Sequence, residues 1–217
     1  MLVAGASLDA TKALIDRGVA SDGTRPDKTG YLIRSDDAIR NVRYPVFKET
    51  VSRFAGELDL RYIDASSNHS LSPLLMNKSG VLFYFQSLAV IPNISTNRFR
   101  PGAIGDTLTS VAGYPYGGDS CVNGSTKQTS IMCYLEAGAT GSYGSTTEPC
   151  NYTEKFSQTL ILLESYVGGA TLVESYWRSV MMPGQGVFVG ELLARPWRTV
   201  GLVPVELEAK SPQICSK

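Results

Sequence analysis

The chain has 217 residues, 43% of them hydrophobic and only 18% charged, enough apolar material to bury the core of a single domain. Twenty Lys and Arg balance twenty Asp and Glu, so no global charge draws the chain to nucleic acid or to an anionic membrane. No run reaches the ~18 consecutive apolar residues of a spanning helix, and no transmembrane segment is expected.

The opening "MLVAGASLDATKALIDRG" lacks a basic leader region and carries Asp9 early, so it does not read as a signal peptide. Export would require a targeting segment that is not present in this chain. Residues 7–18 place Leu8, Ala10, Leu14 and Ile15 at helical spacing, with Val19 beyond, Ser7 or Asp9 as N-cap and Gly18 as C-cap. A polar turn over 20–30 leads to a short strand, 31–34, and a capped turn, 35–44. Residues 45–56 form an amphipathic helix opened by Pro45 and closed by Gly56. Period-two alternation over 58–64 predicts a strand, and the loop over 65–80 contains His69.

"GVLFYFQSLAVIP" (80–92) is the strongest strand signal, because five consecutive large apolar residues suit a central strand covered on both faces. A short strand around Ala103–Ile104 and a helix over 125–138 follow. They lead into "YLEAGATGSYGSTTEPCN" (134–151), in which a strand over 139–145 has Gly138, Gly141 and Gly144 in and around it. Glycine inside a strand marks the close approach of a backbone or a ligand. Helices over 153–168 and 171–182 come next, then a strand within 184–197 and an extended tail from 199. Alternating strands and helices predict an α/β fold, a mostly parallel sheet covered by helices on both faces. Residues 1–198 form one domain, and 199–217 its tail.

In such sheets ligands bind outside the carboxyl ends of strands. Four strand ends are polar here: Gln86-Ser87, Asp106 to Ser110, Thr146 to Cys150, and Gly190-Glu191. The candidate binding residues are therefore Gln86, Ser87, Asp106, Thr107, Thr109, Ser110, Thr146, Thr147, Glu148 and Cys150. The best-placed nucleophile is Cys150, with Glu148 or His69 as its assistant. His69 is the only histidine, however, and no spacing brings it to Cys150. A single imidazole and four cysteines without C-x-x-C spacing argue against a zinc site, and Asp106, Asp119 and Glu148 lack a calcium-loop spacing. Phosphate-loop and dinucleotide fingerprints are absent, so no metal or cofactor is expected. Tyr114, Tyr116, Tyr143 and Trp177 form a candidate sugar-stacking face.

Cys121, Cys133, Cys150 and Cys215 allow two disulfides in three connectivities, or free thiols, with Cys133 read as a core residue in a helix. Five of seven asparagines, Asn68, Asn77, Asn93, Asn123 and Asn151, lie in glycosylation sequons.

From "ATKALIDRGVASDGT" through "GYLIRSDDAIRNVR", "GVLFYFQSLAVIP", "FRPGAIGDTLTS" and "YLEAGATGSYGSTTEPCN" to "SYWRSVMMPGQGVFVGELLARPW", the chain resembles an uncharacterised family of exported bacterial proteins, and within it a carboxy-terminal part. More distantly, the order of elements is similar to gingipain-type and caspase-like cysteine peptidases, which implies a three-layer caspase-like fold. In those peptidases a hydrophobic strand ends in His-Gly and the next strand ends in the nucleophilic Cys. This chain has Gln86-Ser87 at the first position and Ala103-Ile104 at the second. The family resemblance also implies a His in the "D-x-L-T-S" segment, where Thr107 stands. It thus implies a non-catalytic relative, exported to the periplasm or beyond, that binds protein partners in an envelope or extracellular assembly. The alternatives are a cysteine peptidase or amidase using Cys150, and a carbohydrate-binding module.

Overall fold

The computed structural model describes residues 2–115, 121, 127–147 and 152–199. The tail from 200, Glu148, Cys150, Asn151, Tyr116, Asp119, Asn123 and Cys215 lie outside the described residues.

Among the described residues six strands form one sheet: β1 (Thr29–Arg34), β2 (Leu60–Asp64), β3 (Ser79–Gln86), β4 (Arg98–Thr107), β5 (Gly141–Ser145) and β6 (Gly186–Gly190). Their order is β2-β1-β3-β4-β5-β6. The first five run parallel, and β6 pairs antiparallel with β5. Val81 to Phe85 are fully buried between β1 and β4, as the unbroken apolar run requires. At the far edge Leu2 bridges to β6, donating from its N to Phe188 O (3.0 Å) and accepting from Gly190 N (3.0 Å).

Among the described residues five α-helices flank the sheet: α1 (Leu8–Ser21), α2 (Pro45–Arg53), α3 (Ile131–Glu136), α4 (Thr159–Val167) and α5 (Leu172–Ser179). Alternate strand residues point to opposite faces, and the packing follows that rule. Tyr84 and Val189 meet α3 and α1 through Tyr134, Met132, Leu135 and Leu14. On the opposite face Phe83 stacks on Trp197, which also meets Tyr166 of α4, while Phe188 meets Tyr176 of α5. Four of these helix starts have a local cause: Ser7 accepts from Ala10 N, Pro45 opens α2, Ser130 accepts from Met132 N, and Thr171 with Glu174 forms a capping box on α5, whereas α4 starts after Gln158 without a side-chain cap.

Several boundaries differ from those expected. Within 127–138 only Ile131–Glu136 is helical, because Thr129 is committed elsewhere: its N donates to Ala89 O and its Oγ1 accepts from Ile91 N. The short strand expected around 103–104 is the end of the ten-residue β4. Gly102, at φ +83°, donates to Thr140 Oγ1 and carries the strand past Pro101. Gly18 does not cap α1 but lies inside it, against Glu191, and the helix continues to Ser21. Of the apolar residues on α1, Leu14 is buried whereas Leu8, Ile15 and Val19 are exposed. The closing strand is Gly186–Gly190, shorter than the 184–197 stretch that held it. The cysteine pairing is settled for one bond: Cys121 is disulfide-bonded to Cys133, which is both buried in α3 and cross-linked.

Candidate functional site

The parallel strands β1 to β5 bring their carboxyl ends to one edge. Gln86 pairs with Thr107 and Phe85 with Asp106, so the polar ends of β3 and β4 lie side by side, and Thr146-Thr147 continue β5 at the same edge. Gly190-Glu191 does not join them. Because β6 runs antiparallel, Gly190 pairs with the first residue of β5, Gly141, and Glu191 N donates to Thr140 O at the opposite edge. There burial raises the Glu191 carboxyl, against hydrogen bonds from the Ala194 and Leu193 backbone.

The chemical centre of the edge is Asp106, almost fully buried. One of its oxygens accepts from Arg43 Nη1 at 2.6 Å and the other from Ser157 Oγ at 2.6 Å. Arg43 Nη1 also reaches Ser157 Oγ at 3.1 Å and Ser157 O at 3.3 Å. Burial pushes the Asp106 carboxyl up, and the pull of Arg43 and Ser157 opposes it. The Arg43 guanidinium lies 5.8 Å from the Phe85 ring centre. Its Nε and Nη2, and the hydroxyls of Tyr143, Tyr176, Thr109 and Thr159, are buried without a hydrogen-bond partner among the described residues. Burial, then the Asp106 charge, raises the Tyr143 and Tyr176 hydroxyls far above their ordinary range.

A second buried group lies at the ends of β1 and β3. Ser87 Oγ donates to Asn41 Oδ1 at 2.6 Å and accepts from Ser35 N at 3.2 Å, while Asn41 Nδ2 donates to Ser35 O at 2.6 Å. Gln86 turns back on its own chain, with Oε1 accepting from Ser87 N and Nε2 donating to Pro73 O. Thr107 Oγ1 donates to Leu88 O, Thr109 is buried, and Ser110 is half-buried. Thr146 N donates to Gln185 O, and Thr147 O accepts from the buried Lys155 Nζ. Of the predicted edge residues, Gln86, Ser87, Asp106, Thr107, Thr109, Ser110, Thr146 and Thr147 lie along one edge, with most of their polar atoms spent on one another and on backbone, while Glu148 and Cys150 lie outside the described residues.

His69 sits in an exposed turn after β2, whose Asn68 N donates to Asp64 O. Four strand spacings, about 19 Å in all, separate β2 from β5. The buried Ser87 and Ser157 hydroxyls face an amide and a carboxylate, not an imidazole. Among the described residues no three of His, Cys, Asp and Glu come together as metal ligands. The sugar-stacking face is not assembled as expected: Tyr143 is buried between Tyr176 and Trp177, and Tyr114, though exposed, donates its hydroxyl to Thr146 O.

Arg43, Ser157, Ser35, Asn41 and Lys155 were not singled out from the sequence. One signal was available for Arg43. A carboxylate that follows the small and apolar stretch Gly102 to Gly105 of β4 demands a counter-charge if it is buried, but nothing local says which of twenty cations supplies it. No family profile, curated protein or solved structure matches the chain.

Proposed function

We propose that the chain is a caspase-like α/β domain without peptidase activity, serving as a binding or structural subunit of an exported or envelope assembly. One observation carries the reading. Where the resemblance implies an imidazole and a thiol, the chain has Gln86-Ser87 and Ala103-Ile104, and the polar atoms of Ser87 and of Asp106, near the end of β4, are tied into internal networks. Side chains committed in this way hold loops at the sheet edge in place, and among the described residues the Ser87 and Ser157 hydroxyls donate to an amide and a carboxylate, with no imidazole beside them. The order β3, β4, β5, the α4–α5 pair and then β6 follows the order of elements the resemblance implies. The Cys121–Cys133 disulfide is compatible with an oxidising compartment, and no helix among the described residues is long and apolar enough to cross a membrane.

Two measurements test the reading. Pooled internally quenched peptides and simple amides are expected to give no turnover above that of a Cys150→Ala variant. Turnover that disappears in the variant would establish the peptidase or amidase alternative instead. In mild extracts of the source, size-exclusion chromatography is expected to place the protein in a particle well above its 23.4 kDa. Elution as a lone monomer would remove the assembly role.

A further inference from the structure

At the amino edge of the sheet, opposite the networks above, a pocket of about 430 Å³ is lined by Ala20, Thr24, Arg25, Pro26, Asp27, Arg100 and Pro101. Its two arginines stand apart from the others near the sheet ends. At the carboxyl edge Arg34, Arg40 and Arg43 each face an aspartate: Asp64, Asp37 and Asp106. Among the described residues Arg25 and Arg100 have neither a hydrogen bond nor an ion pair from their guanidinium groups. Asp27, the one acid of the lining, is occupied by Lys28 at 3.2 Å, which with Arg100 holds its carboxyl below the usual range. Two forked cations therefore share the pocket with a single carboxylate that Lys28 already engages, in a chain of zero net charge.

The backbone adds an independent mark. Arg25 has φ +44°, and the other non-glycine residues with positive φ among those described are both asparagines, Asn77 and Asn93. Asparagine visits that region readily and arginine does not. The conformation is imposed by the loop's attachment to the 195–196 segment, where Gly23 N donates to Arg195 O, Arg25 N to Pro196 O, and Arg195 N to Asp22 Oδ1. Pro26 and Pro101 stiffen the walls. An exposed residue held in an unfavourable backbone region, at the mouth of a preformed pocket, is a reason to look for a function there.

We infer that the Arg25–Arg100 pocket is a binding site for a tetrahedral oxyanion, a phosphate or sulfate ester. The guanidinium fork matches two oxygens of such a group, and the pocket offers two of them, Arg25 from the loop after α1 and Arg100 from the start of β4. The pocket is larger than a bare ion needs, which suits an ester carried on a larger polar body. This inference is independent of the carboxyl-edge reading, and its failure would leave that reading in place.

The test uses inorganic phosphate and sulfate, each at about 20 mM against sodium chloride of equal ionic strength. They are expected to raise the Tm by about 3 °C. Arg100→Gln abolishes the rise without lowering the Tm in chloride. Arg25→Asn abolishes it too, and its Tm in chloride is at or above that of the parent, because asparagine relieves the backbone. Vesicles of phosphatidylcholine with and without phosphatidic acid separate the two sources of the group. Sedimentation with the acidic vesicles that is lost in Arg100→Gln assigns a lipid headgroup, and the soluble-anion effect alone assigns a free ester. A Tm that responds to phosphate and sulfate no more than to chloride, or a response that survives both substitutions, overturns the site.

Discussion

Arg43→Met is the most informative single change, because it removes the counter-charge of a carboxylate that has no access to water. Both side chains of the pair are 2% exposed. Breaking a buried pair from one side costs about 3–5 kcal/mol, since the remaining charge must stay unsolvated or be neutralised. Asp106 would take the second course. Burial already raises its carboxyl, and Arg43 is the leading opposing influence, so the substitution drives it further up. A carboxyl whose folded-state pKa exceeds the unfolded value of about 3.9 stabilises most below that value. Its contribution then declines by about 1.4 kcal/mol per pH unit as pH rises toward the folded value. The variant is therefore expected to lose about 4 kcal/mol at pH 7, a fall of about 1.5 M in the urea midpoint, and to recover most of the loss near pH 4. The double variant Arg43→Met with Asp106→Asn removes the titrating group and should flatten the pH dependence. Urea unfolding between pH 4 and pH 8 reads both effects. A deficit below about 1 kcal/mol at pH 7, or one that does not change between pH 5 and pH 7, would refute the buried-pair reasoning.

The other expectations concern packing, the disulfide and a surface carboxylate. A Cβ at Gly144 would lie 2.5 Å from Gly113 N and 2.7 Å from Ala112 C, backbone atoms that cannot turn aside. Gly144→Ala is accordingly expected to cost about 3 kcal/mol in urea unfolding, and an unchanged midpoint would show that the β5 glycine is not required by packing. Reducing Cys121–Cys133, twelve residues apart, should lower stability by about 3 kcal/mol, read as a Tm that falls under reductant and not in the Cys121→Ala, Cys133→Ala double variant. Against the desolvation that would raise it, hydrogen bonds from Ser67, Tyr62 and Arg34 bring Asp64 down to about 2. Its stabilisation, about 1 kcal/mol after solvent screening, is present above about pH 4 and lost as pH falls toward 2. An Asp64 carboxyl carbon that titrates near 4 by NMR would contradict this.

What could be read from the sequence was what local pattern determines. The run Val81 to Phe85 has no polar residue to turn toward water, so it had to be a central strand, and it is flanked by β1 and β4. Gly141 and Gly144 marked close approach, and the approach is of protein to protein: a Cβ at Gly141 would meet Leu172 and Phe188, and one at Gly144 would meet Gly113. What escaped was set by partners far along the chain. The direction of β6 is fixed by its pairing with β5, not by any residue in "GQGVFVGELL", and that direction alone carries Glu191 to the edge away from Asp106. Arg43 lies in a stretch that reads as a solvated cap, and it becomes a buried ion only because β4 ends beside it, 63 residues later. Ser157 is 51 residues further still from Asp106, at the entry to α4. The networks at the sheet edge are thus products of topology. A sequence can nominate the acid at a strand end, because burying an unpaired carboxylate is costly. It cannot choose the cation, because that choice belongs to the order of strands.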